Sequence, residues 1–141
     1  MNRDTFSTVL RVENRLDELT RIASFLNDLG AEWTLNERLV NSLNLVLEEA
    51  ISNIILYGYK DGEGHTIEIY FRKSENEILI SIKDDGMAYN PTLRADPDVS
   101  LSVEDRPVGG LGVFLMKKLM DGVEYQWEGG RNILNLRKKI D

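Results

Sequence analysis

Apolar and polar residues recur along this chain with two distinct periods, and the switches between them predict an order of elements. Phe6–Val12 (FSTVLRV) is moderately β-branched and reads as a short first strand. From Leu16 to Leu29 the residues Leu16, Leu19, Ile22, Ala23, Phe25 and Leu26 fall on one side of an amphipathic helix, with Gly30 placed to end it. Thr34-Leu-Asn-Glu37 has the Thr-x-x-Glu form of a capping box. A second helix is therefore expected to start near Leu35 and to run to about Leu56, where Gly58 breaks it. Leu43, Val46, Leu47, Ala50, Ile51 and Ile54 give that helix a continuous apolar stripe.

Period two then returns. Thr66–Arg72 and Glu77–Lys83 alternate around Lys73-Ser-Glu-Asn76, which predicts a hairpin with one buried face. From Asn90 to Val108 periodicity is lost, and all three prolines (Pro91, Pro97 and Pro107) gather there. A loop of that length in a compact domain is either functional or disordered. Gly109–Asp121 reads as a helix opening on glycines. Val123–Glu128 and Asn132–Lys139 predict a closing hairpin that turns at Gly129-Gly130. This order is not a regular βαβ alternation. It predicts an α+β two-layer sandwich, with a mixed, mostly antiparallel sheet of about five strands and three helices on one face.

Composition narrows the class. A chain of 141 residues fits a single domain, residues 1–141, with a real core. No run approaches the roughly 18 apolar residues of a membrane span. Met1–Leu16 lacks the apolar stretch of a signal peptide. The chain has no cysteine, so there is neither a disulfide framework nor a thiolate metal site, and a cytoplasmic protein is expected. The net charge of -7 argues against a general nucleic-acid surface, which needs clustered Lys and Arg, but it does not bear on nucleotide binding. The single histidine, His65, sits in a Gly-rich turn and reads as a turn or strand-edge residue.

Three stretches carry possible chemistry. Glu49 and Asn53 lie four residues apart, so on a helix they share one face, at the edge of the apolar stripe. A solvated helix face explains them, and so does a proton acceptor beside a metal ligand. Asp84-Asp-Gly86 closes the second hairpin strand: Gly86 permits a bend, and a carboxylate before it can accept from a ligand, although Asp-Gly is also an ordinary turn pair. Gly109, Gly110 and Gly112 open a helix, where free N–H groups and the positive dipole end can meet phosphates. Neither the P-loop Gly-Lys-Ser/Thr nor a dinucleotide fingerprint within a βαβ unit is present, and a hinge or close helix packing explains the glycines equally.

Together, Glu49-Ala-Ile-Ser-Asn53, Asp84-Asp-Gly86 and Gly109-Gly-Leu-Gly112 resemble the N, G1 and G2 boxes of the histidine-kinase-like ATPases, the Bergerat nucleotide fold. Within that superfamily the chain is most similar to the anti-sigma-factor serine/threonine kinases (RsbW-like), through Tyr57-Gly-Tyr59, Asp84-x-Gly-x-x-Tyr-Asn-Pro91, the Leu119-Met-Asp121 ending and Gly129-Gly-Arg-Asn-Ile-Leu134. The resemblance implies ATP and Mg²⁺ as ligands. It implies Asn53 as the magnesium ligand, Glu49 as the general base, and Asp84 as the acceptor for the adenine amino group with Gly86 giving room beside the base. Gly109, Gly110 and Gly112 would meet the phosphates, residues 90–108 would form the ATP lid, and Arg106 within it is a candidate phosphate contact. Tyr57-Gly58 stands where the family often has His-Ala, and Tyr89-Asn90-Pro91 where it often has Phe-Asp-Pro.

The function so implied is phosphoryl transfer from ATP to a serine or threonine of a STAS-domain anti-sigma-factor antagonist, with sequestration of a sigma factor, by a homodimer that contacts neither nucleic acid nor membrane. The alternative is a partner-switching module in which the nucleotide only orders the lid. The detached catalytic domain of a histidine kinase is a third reading. Trp33 and Trp127 are each expected to be core residues rather than partner contacts.

Overall fold

Among the described residues, five strands make one antiparallel sheet in the order β1-β2-β3-β5-β4. They are β1 (Phe6–Glu13), β2 (Thr66–Lys73), β3 (Glu77–Asp84), β4 (Gly122–Glu128) and β5 (Arg131–Lys139). The structure, a computed structural model, describes residues 6–62, 64–93 and 110–140. Three helices lie between the strands in sequence: α1 (Glu18–Glu32), α2 (Glu37–Tyr57) and α3 (Gly110–Leu119). Every strand pair among the described residues is antiparallel, so the observed sheet lacks the parallel component that a mixed sheet would have.

Alternation decides which face the helices cover. In β2 and β3 the residues Ile67, Ile69, Phe71, Ile78, Ile80 and Ile82 are almost fully buried, while the residues between them are more accessible. The buried stripe of α2 (Leu39, Val40, Leu43, Val46, Leu47, Ala50 and Ile51) belongs to the same core cluster. Each such side chain contributes roughly 1.5–3 kcal/mol by leaving water. By length and composition α2 could cross a membrane, alone among the helices of the described residues, yet here it is the central core helix, packed against both α1 and α3.

The α1–α2 corner departs from its expected form. α1 does not stop at Gly30 but continues to Glu32, and an added Cβ at Gly30 would lie 2.6 Å from Cγ2 of Val40. Gly30 is thus a close-approach residue between two helices rather than a terminator. Thr34 takes a left-handed backbone (φ 55°), and the cap of α2 is Asn36, whose side chain accepts from the Leu39 N–H at 2.7 Å. The N-cap read at Thr34 falls two residues later, at Asn36, and no capping box forms, because position N3 is Leu39 and Thr34 is spent on closing the corner. Of the two tryptophans, Trp33 is core (6% exposed) and Trp127 is not (47% exposed).

Candidate functional site

A cleft of about 390 Å³ opens between the C-terminal half of α2, α3 and the end of the sheet. Ala50, Asn53, Ile54, Tyr57 and Gly58 come from α2 and its corner. Asp84, Met87, Ala88, Tyr89 and Pro91 come from the end of β3 and the chain that follows. Val113 and Met116 come from α3, and Tyr125, Asn132 and Leu134 from β4 and β5. An apolar wall carrying a few fixed polar groups is the composition of a small-molecule site.

Asp84 is the buried charge of this cleft, 3% exposed. Its Oδ1 accepts from the Gly86 N–H at 2.9 Å and from Nδ2 of Asn132 at 3.0 Å. Burial raises the Asp84 carboxyl above its ordinary value, and those two donors oppose the rise. Gly86 has no room for a side chain, since a Cβ would stand 2.7 Å from the carbonyl oxygen of Gly58 and 3.0 Å from Asp84 Oδ1. That close approach lets the Met87 N–H donate to the same Gly58 carbonyl at 2.8 Å, locking the corner after α2 to the turn after β3.

The neighbouring carboxylate faces elsewhere. Asp85 is exposed and lies 3.2 Å from Nδ1 of His65, whose Nε2 is 2.9 Å from the Asp61 carboxylate. The imidazole stacks on Tyr59 at 4.4 Å. Asp61 first, and Asp85 second, raise the His65 pKa. The Tyr59 hydroxyl is buried and approaches Asp85 without completing a well-aligned hydrogen bond; desolvation chiefly, and the two aspartates next, push its pKa up. The turn histidine is therefore a brace behind the cleft, and Asp84 and Asp85 are divided between its two sides.

Asn53 lines the cleft from α2, and no described residue hydrogen-bonds its side chain. Glu49 is half-buried one turn earlier on the same helix and does not line the cleft. Gly110 and Gly112 lie in the first turn of α3, whose Val113 and Met116 reach the cleft. Gly109, Arg106 and most of the predicted lid fall outside the described residues; the start of that segment forms a short 3₁₀ turn, Pro91–Leu93, with Asn90 Oδ1 accepting from the Thr92 N–H at 2.9 Å.

Sequence reasoning assigned no role to Asn132, which the structure makes the most connected side chain of the cleft. Its Nδ2 donates to Asp84 Oδ1, to the Met87 carbonyl at 2.9 Å and, more weakly, to the Gly86 carbonyl at 3.4 Å. Its Oδ1 accepts from the Tyr89 N–H at 3.0 Å and the Tyr125 hydroxyl at 2.6 Å. The signal was the closing Gly-Gly-Arg-Asn stretch. Its meaning appears only with the register that sets Asn132 opposite Asp84.

Such an arrangement can hold a planar apolar ring against a buried acceptor. Among the described residues no group of three or more His, Asp or Glu side chains is arranged to hold a metal. A hard cation here would take the Asn53 carboxamide oxygen together with phosphate oxygens and water, which suits Mg²⁺ and fits the residues present.

Comparison with known proteins agrees with this geometry. Residues 12–138 match the histidine kinase-like ATPase domain. Over 99 residues, 70% of each chain, the sequence is 34% identical to the serine/threonine-protein kinase BtrW of Bordetella bronchiseptica. It is 31% identical to the serine-protein kinase RsbW of Bacillus thuringiensis over 99 residues, covering 67% of this chain but only 61% of that one. A crystal structure of RsbU and RsbW domains from Mycobacterium tuberculosis superposes on 94% of this chain with a TM-score of 0.64, at 12% identity and over 32% of its own length, a likeness of fold.

Proposed function

This chain belongs to the histidine kinase-like ATPase family, among its serine/threonine-protein kinases, and from that premise we propose that it phosphorylates a STAS-domain anti-sigma-factor antagonist and sequesters a sigma factor when that antagonist is phosphorylated. The observation that carries the reading is the cleft itself, with buried Asp84 at one end and Asn53 on α2.

In this reading the adenine ring lies among Met87, Tyr89, Val113 and Met116, and its amino group donates to Asp84. Asn53 would hold Mg²⁺ together with the phosphates, and that ion would supply charge neutralisation for the transferring phosphoryl group. Glu49 takes the proton from the attacking serine or threonine hydroxyl, while the Asn53–Glu49 spacing keeps base and metal ligand on one helix face. The first turn of α3, with Gly110 and Gly112, offers backbone N–H groups to the phosphates, and residues 90–108, including Arg106 and followed by Gly109, close over them. Adding roughly two negative charges to the partner releases it. The chain acts as one ATPase domain in the cytoplasm, and as a homodimer: among the described residues β1 is a sheet edge that pairs with β2 alone and could accept a second copy.

The test is incubation of the purified protein with γ-labelled ATP, Mg²⁺ and the STAS-domain proteins of its host, beside Glu49→Ala. Label on one partner, lost in the variant, is the expected result. ATP binding without transfer to any candidate would favour the partner-switching module without kinase activity, and no ATP binding would overturn the site.

A further inference from the structure

Asn132 uses every hydrogen-bonding position of its amide. Met87 offers only a carbonyl and Tyr89 only an N–H, so between them they fix which end of the amide is nitrogen. Reversing it would set an oxygen against three acceptors and an NH₂ against the Tyr89 N–H. With the amide so held, Nδ2 must point at Asp84 Oδ1, which already accepts from Gly86. Oδ1 is thereby filled by two donors, and Oδ2 receives none from the described residues. Both donors favour the ionised carboxylate, in which the oxygen left for the cleft is an acceptor whose best partner is a ligand group that donates.

On the reading that the cleft takes ATP, we propose that Asn132 is a specificity-determining positioning residue: it presents Asp84 to the ligand as an acceptor only, so that the site selects a 6-aminopurine over a 6-oxopurine. The same amide fastens Met87–Tyr89, the turn that follows β3. Base recognition and the anchoring of that turn therefore share one side chain. Asn132 acts through Asp84 and through the backbone.

Calorimetric binding of ATP and of inosine triphosphate, each with Mg²⁺, separates this role from a merely structural one. The wild type should favour ATP by roughly tenfold to a hundredfold, the scale of one hydrogen bond to a charged acceptor. Asn132→Leu should weaken both nucleotides as Met87–Tyr89 loosens, but ATP by about that factor more than inosine triphosphate, so that the ratio collapses. Equal loss for both nucleotides, or an unchanged ratio, would overturn the proposal. Should Asn132→Leu fail to fold by circular dichroism, Asn132→Asp keeps the shape and sets two carboxylates side by side that share one proton. Its ATP affinity relative to wild type should fall as pH rises from about 6 to 9 and the shared proton leaves; parallel profiles would also overturn it. A wild type that binds neither nucleotide removes the ATP reading and this inference together. One that binds ATP, with selectivity indifferent to residue 132, removes only the inference.

Discussion

The two ends of the cleft are built on opposite principles. Around Asp84 the described polar groups are wired together by protein: Gly86, Asn132, Met87, Tyr89 and Tyr125 form one connected, buried to part-buried network that leaves only Asp84 Oδ2 for a ligand. Around Asn53 and Glu49 the described residues supply no side-chain partner. On the proposed reading, the difference follows from what each end would meet. A flat base of fixed shape is read best by groups whose positions are settled beforehand, since ordering them on binding would cost affinity. A metal–phosphate cluster brings its own oxygens and water, and a base that must accept a proton works only if no neighbour has claimed its lone pairs.

The contrast predicts that substitutions at the open end alter chemistry while substitutions at the wired end alter binding and stability together. Glu49→Gln should lower phosphoryl transfer by about 10²–10⁴-fold, with ATP affinity nearly unchanged and stability within about 0.5 kcal/mol. A large shift in thermal melting would break the comparison. Asp84→Asn should weaken ATP binding roughly tenfold to a hundredfold and yet raise the melting temperature near pH 7, because a desolvated charge is removed. The sign with pH follows from the raised carboxyl. The folded wild type takes up a proton more readily than the unfolded chain, so its stability gains as pH falls through the raised Asp84 pKa toward the ordinary value of about 3.9. The advantage of Asp84→Asn should therefore shrink over that window, which melting curves across acidic pH would check.

Gly86→Ala sharpens the comparison in another way. Its new methyl meets the Gly58 backbone, which cannot swing aside, and should cost about 1–3 kcal/mol by urea unfolding along with ATP affinity. His65→Gln should have the smallest effect. A raised histidine pKa stabilises fully below the unfolded value of about 6.5 and ceases to do so as pH rises through the folded value. The variant should therefore be less stable than wild type at pH 6, with the gap closing by pH 9.

The sequence made the element order legible because its periods are clean: β2 and β3 alternate without a break, and the stripe of α2 is continuous. The errors at Gly30 and Thr34 share a cause. Both were read as local signals, yet the first answers to Val40 across a helix contact and the second to the geometry of a corner. In the sequence, Glu49 and Asn53 stood out because they share a helix face at the edge of an apolar stripe, and Asp84 because Gly86 permits a bend just where its strand stops. Asn132 did not, because an asparagine near a Gly-Gly turn looks like turn chemistry until strand register sets it opposite Asp84.

The unequal placement of the two tryptophans has an optical consequence. Trp33 is enclosed in the core, while Trp127 sits across from Asn132 on β4 with nearly half its surface in water. Excitation should thus give one blue-shifted emitter that soluble quenchers cannot reach and one red-shifted emitter that they can. Quenching by iodide, followed as nucleotide is added, would report on the base end of the cleft without a label, and Trp127→Phe would identify the source of any change.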